Sequence, residues 1–145
     1  MKFPSTQWFE ALQIQAAQKP DKFKKFGFVD ANVGVMVAPK NGGLGSGFVL
    51  EFGGYGCKRV AEEDNPAELA DFVVTGTSDT WQEMIENIHS NGEADLDHTL
   101  DALTLSGASL KIEAEGQLQE DLFHRYSQTL QEFFNGAAEI ETDFD

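Results

Sequence analysis

The chain has 145 residues, with 10 Lys and Arg against 25 Asp and Glu, for a net charge of −15 and a pI near 4.4. That length suits one domain able to bury most of the surface its unfolded chain exposes. The acidity excludes nucleic acid, whose phosphates are bound by neutralising them with Lys and Arg, and argues against general adhesion to an anionic membrane.

In chain order, Pro4 and Ser5 open a helix with Trp8, Phe9, Leu12 and Ala16 on its apolar side, and Pro20 stops it. Asp21 to Phe26 reads as another helical turn or two, ended by Gly27. The period then changes: Val29, Ala31, Val33, Val35 and Val37 alternate as a strand with one apolar face. Pro39 to Gly47 is a glycine-rich connection, and Phe48, Leu50 and Phe52 form the second strand of an antiparallel hairpin. Tyr55 to Val60 gives a weaker third strand, and Ala61 to Ala70 a loop with a short helical turn after Asn65.

The segment from Asp71 to Trp81 predicts a strand over Phe72–Thr75, a glycine turn at Gly76, and a helix from Ser78 or Asp79. Trp81, Met84, Ile85 and Ile88 lie at i, i+3, i+4, i+7 and make one apolar face. His89 to Gly92 is a turn, after which Leu96, Leu100 and Leu103 mark a helix of about ten residues, broken by Ser106-Gly107. Leu110, Ile112 and Ala114 share one face of a strand over Ser109–Ala114. The last helix, Gln117 to Asn135, carries Leu118, Leu122, Tyr126, Leu130 and Phe133-Phe134 on one stripe and ends at Gly136. Residues 3–135 are expected to form a single domain, with 136–145 a flexible acidic tail.

Charge divides the chain unevenly: residues 1–60 hold eight cations and four anions, residues 61–145 two and twenty-one. Lys22, Lys24, Lys25, Lys58 and Arg59 are the candidates for a local anion site. The single cysteine, Cys57, excludes an intramolecular disulfide framework and fits a reducing compartment. Met1 to Gln7 lacks the apolar stretch of a signal peptide, and no apolar run is long enough to span a bilayer, so a soluble, cytoplasmic protein without stable membrane insertion is expected.

No catalytic constellation emerges. Gly43-x-Gly45 would need a third glycine at position 48, which is Phe48, and no phosphate-loop Gly-Lys-Ser/Thr occurs. His89, His98, His124 and Cys57 have no zinc spacing, and Ser46 lies outside a nucleophile elbow. No catalytic residue, metal ligand or cofactor is assigned.

Three ordered landmarks now stand out: Pro4-Ser5-x-x-Trp8 leading through a helix into a strand, Ala70-Asp71-Phe72-Val73-Val74-Thr75-Gly76 followed by Trp81, and Leu110-Lys111-Ile112-Glu113-Ala114-Glu115-Gly116 before a closing helix. Together they resemble the sterol carrier protein two family of small lipid-binding domains, over roughly residues 3–135. The resemblance implies an α+β fold: a mixed, mainly antiparallel sheet of about five strands, covered by helices that enclose a hydrophobic tunnel. It also implies noncatalytic binding or transfer of a fatty acid, fatty acyl-CoA, sterol or phospholipid. The third landmark departs from the usual form, with Ala108-Ser109 ahead of it and Glu115-Gly116-Gln117 behind.

On this reading the lipid tail lies between a sheet face with Phe48, Leu50, Phe72, Val74, Leu110 and Ile112 and helices with Trp81, Ile85, Leu96, Leu100, Leu103, Leu122, Tyr126 and Leu130. The pattern leaves the register open by one residue, and the same stripes line a tunnel or fill a solid core. The alternative is a docking module, as a homodimer or the partner of a separate enzyme, for which exposed aromatics at Phe3, Phe133 or Phe134 would speak.

Overall fold

The computed structural model describes residues 1–39, 43–105 and 109–144. The expected Ser106-Gly107 break and part of the glycine-rich connection lie outside them. Strand β1 (Lys2–Phe3) leads to helix α1 (Thr6–Ala17), which Ser5 caps by accepting from the Trp8 amide at 3.1 Å. Helix α2 (Pro20–Phe26) starts with its proline in the first turn, where no amide is needed, and ends at Gly27 with φ of 97°. Strands β2 (Val29–Ala38), β3 (Ser46–Gly54) and β4 (Gly56–Glu62) form an antiparallel meander. A single 3-10 turn, Pro66–Glu68, precedes β5 (Phe72–Thr77). Helices α3 (Ser78–Asn91) and α4 (Leu100–Thr104), strand β6 (Leu110–Glu113), helix α5 (Gln117–Asn135) and strand β7 (Asp143–Phe144) complete the order.

The main sheet runs β4-β3-β2-β5-β6, with β2 and β5 parallel and the other neighbours antiparallel. The mixed, mainly antiparallel α+β architecture is therefore as expected, and the sheet is open rather than closed into a barrel. Alternation decides which face is inside. Val33, Val35, Phe48, Leu50, Phe72, Val74 and Leu110 are at most 2% exposed and meet the helices. The outer face is partly covered too: Val73 and Val49 are buried, and Pro66 and Ala70 sit so close to Gly34 that a β-carbon there would meet both.

Gly76 belongs to β5 and does not form a turn. A β-carbon at that position would lie 2.5 Å from Leu110 Cδ2 and 3.2 Å from Trp81 Nε1, so the missing side chain is what lets α3 and β6 close over the strand. Thr77 then caps α3, accepting from the Thr80 amide at 3.3 Å.

Two further expectations are corrected. The predicted helix through Leu96 shortens to Leu100–Thr104, because Thr99 caps it with an acceptor for the Ala102 amide at 3.1 Å. Ahead of that cap, Asp95 accepts from the Asp97 amide and holds a turn. The segment expected to be a flexible tail is packed as far as Phe144: Gly136–Glu139 make a 3-10 turn with Ala137 buried, Ile140 is buried, and β7 pairs in parallel with β1. Trp8 Nε1 donates to Thr142 Oγ1 at 3.0 Å, joining α1 to that segment.

Candidate functional site

The fourteen predicted lining residues do not share one fate. Phe48, Leu50, Phe72, Val74, Trp81, Ile85, Leu100, Leu110 and Leu130 are buried to 2% exposure or less, and they belong to one contiguous apolar cluster. Within it rings interlock: Phe72 meets Phe123 at 5.9 Å, Trp81 meets Phe134 at 5.6 Å, and Phe9 meets Phe48 at 4.7 Å between centroids. The Trp81 indole also donates to the Met36 carbonyl at 3.1 Å, which fixes the ring against β2. These nine side chains are thus part of one packed apolar cluster.

Leu103 on α4 keeps 9% exposure, and Ile112, Leu122 and Tyr126 are half-buried against the same cluster. Helix α4 packs on β6 and α5, and α5 packs on β5 and β6, so these four side chains sit on adjoining elements around the edge of the interior. Leu122 and Tyr126 are one turn apart on α5, and Ile112 pairs with Val74 across the sheet. This margin is where the apolar interior comes nearest to water among the predicted residues.

Leu96 does not join it: on the turn before α4 it is 89% exposed. Leu118 leaves the α5 stripe and is 80% exposed in the first turn of the helix. Phe3, Phe133 and Phe134, whose exposure would have spoken for a docking surface, are buried. The exposed aromatics include Phe28 and Tyr55, whose rings meet at 6.2 Å where β2 begins and the β3–β4 turn lies.

Two surface depressions border this set, at Ile85 and at Phe72. One of about 320 Å³ is bounded by Ile85, Glu86, His89, Ser90, Thr142 and Phe144, between α3 and the C-terminal segment. Another, of about 210 Å³, runs past Ala67, Ala70 and Asp71 to Val73 and Glu113–Glu115 on the outer side of the sheet.

Of the proposed anion-binding cations, Lys22 is paired with Glu132 at 3.1 Å and Arg59 with Glu51 at 2.8 Å. Cys57 is half-buried, and burial is the main cause that pushes its thiol up to about 12, so it stays protonated at neutral pH. Among the described residues no three His, Cys, Asp or Glu side chains gather as a metal would require, and no helix is long and apolar enough to cross a membrane.

The cation that the sequence reading missed is Arg125. Its guanidinium carbon lies 5.6 Å from the centre of the Tyr126 ring, at the margin just described. The available signal was its isolation, since it is the one Lys or Arg from residue 112 to the end.

Comparison with solved structures gives the arrangement a precedent. A crystal structure of sterol carrier protein 2 superposes with a TM-score of 0.69 at 21% identity, covering 93% of this chain and 96% of that one. The chain has the sterol carrier protein 2 fold. A conserved hypothetical protein of Thermus thermophilus, itself suggested to be a sterol carrier protein, matches with a TM-score of 0.68 at 22% identity, over 96% of this chain and 90% of its own. Sterol carrier protein 2 from Yarrowia lipolytica, in its apo form, gives 0.50 at 18% identity over 90% and 88%. No family model and no curated protein matches the sequence. The resemblance read from the sequence thus extends to the fold.

Proposed function

We propose that this chain is a noncatalytic carrier of a long-chain lipid, held between the inner sheet face and α3, α4 and α5. The observation that supports the reading is the half-buried apolar margin of Ile112, Leu122 and Tyr126, which adjoins the interior of a sterol carrier protein 2 fold. Burying a lipid tail there contributes about 0.8 kcal/mol per methylene, so a long chain is retained with few polar contacts. Because Phe72 and Phe123 pack ring against ring on the inner sheet face, accepting a tail there requires side chains to part. The element best suited to yield is α4, five residues long and anchored by Leu100 and Leu103.

Organic extraction of the purified protein followed by mass spectrometry, together with displacement of a fluorescent fatty acid, tests the reading. Co-purified lipid, or saturable binding of the fluorophore that Leu122→Asp abolishes, is the expected result. A protein that carries no lipid and binds no fluorophore would sink it.

A further inference from the structure

Arg125 poses a local puzzle. On α5 its neighbour one turn earlier is Asp121, and an Asp four residues ahead of an Arg is the arrangement that forms a helix-surface ion pair. That pair is not made. Asp121 accepts instead from Gln117 Nε2 at 2.7 Å, and Arg125 makes no ion pair among the described residues. The guanidinium lies over the Tyr126 ring, which leaves its N–H groups free to face an incoming anion. Tyr126 is half-buried on the apolar cluster, so the charge stands at the boundary between the interior and water. Nine carboxylate side chains and this one Arg lie between residue 112 and the end of the chain, which makes an unpaired cation there all the more specific in where it can draw an anion.

We infer that Arg125 receives the anionic headgroup of the bound lipid, a carboxylate or a phosphate monoester, while the tail passes Tyr126 and Leu122 into the interior. The inference rests on the lipid-carrier reading and goes beyond it by naming the headgroup chemistry and the residue that selects it. A planar guanidinium matches either anion with two parallel N–H···O bonds, and the ring beneath it holds the plane without neutralising the charge. The acidic surroundings act in the same direction as a filter, because an anion is tolerated at this spot and repelled next to it.

The test uses the full chain and three probes of equal chain length: a saturated fatty acid, an alkyl phosphate and a fatty alcohol. Each displaces the same fluorophore from the wild type, Arg125→Gln and Arg125→Lys. The expected result for Arg125→Gln is a loss of about fivefold in affinity for the two anions, reduced by added salt, with the alcohol unchanged. Arg125→Lys should fall between, since it keeps the charge and loses the fork. A loss confined to the acid assigns carboxylate, and one confined to the phosphate assigns phosphate. Equal losses for all three probes would overturn the headgroup role and make Arg125 a packing residue, as would no loss at all. If the wild type binds none of the three, the carrier reading itself fails.

Discussion

The two ends of the apolar interior are built differently. At one end Phe3, Trp8, Phe9, Phe48 and Phe134 are all at most 3% exposed, with rings meeting edge to face or tilted at 4.7 to 6.3 Å. At the other, Leu103, Ile112, Leu122 and Tyr126 cover the cluster incompletely, on a five-residue helix, a four-residue strand and one face of α5. Interlocked rings pack closely and gain most from being rigid. Leu103 and Ile112, aliphatic side chains on short elements, can part at lower cost, because fewer backbone bonds and contacts hold each element in place. Apolar stripes that look alike in sequence therefore serve two ends: one closes the fold and the other leaves it accessible.

Trp81 is the sharpest place to break the closed end. It has 0% exposure, packs its ring on Phe134 and satisfies the Met36 carbonyl. Trp81→Ala should cost about 3–5 kcal/mol, read from the shift in denaturant midpoint, since it leaves a ring-sized void and removes a donor. A loss below about 1 kcal/mol would mean that the ring lies in a space that collapses readily, and the contrast between the two ends would disappear.

Gly76 tests the same packing from the strand side, with a smaller effect. In Gly76→Ala the new methyl group meets Leu110 Cδ2 and Trp81 Nε1, and Leu110 has no exposed surface into which to retreat. The expected loss is about 1–3 kcal/mol, with the sheet intact by circular dichroism. An unchanged midpoint would show that Leu110 has room, and would place the boundary between the filled and yielding parts closer to β5.

Much of this contrast could be read from the chain, and the parts that could not share a cause. Alternation at Val29–Val37 and Phe48–Phe52 and the spacing of Trp81, Met84, Ile85 and Ile88 report which side of an element is apolar, and these stretches fold as read. The same rule misplaced Leu96, because three leucines at helical spacing look alike whether or not a cap intervenes. The cue was Asp95-Leu96-Asp97-His98-Thr99, dense in residues that bond their own backbone and start helices. Nothing local marked the C-terminal segment as ordered. Its order comes from β1 and from Trp8, more than 130 residues away in sequence. Arg125 was missed for a related reason, since whether a helix-surface cation pairs with Asp121 or lies on Tyr126 is decided by which partner Gln117 occupies.

The smallest predicted effect concerns how the accessible end is held. The turn before α4 is tied to α3 by Asp95, which accepts from Asn87 Nδ2 at 2.8 Å and pairs with His98 Nδ1 at 2.7 Å, while His98 Nε2 lies 3.5 Å from Glu83. The hydrogen bond to Asp95 is the largest cause that raises the His98 pKa above its ordinary 6.5, with the Asp95, Glu83 and Asp97 charges adding to it and desolvation opposing it. A folded pKa above the unfolded one means that this contribution to stability is complete below pH 6.5 and is lost as the pH rises through the folded value. An NMR titration of the His98 ring should therefore give a midpoint above 6.5 that Asp95→Asn returns towards that value. The stability change is small because both carboxylate partners of His98 are well exposed to water. Its location still matters, since loosening this turn as the pH rises through the folded value acts on α4, at the end where the interior is accessible. A His98 midpoint at or below 6.5 would remove the tie and leave Leu100 and Leu103 as the anchors of α4.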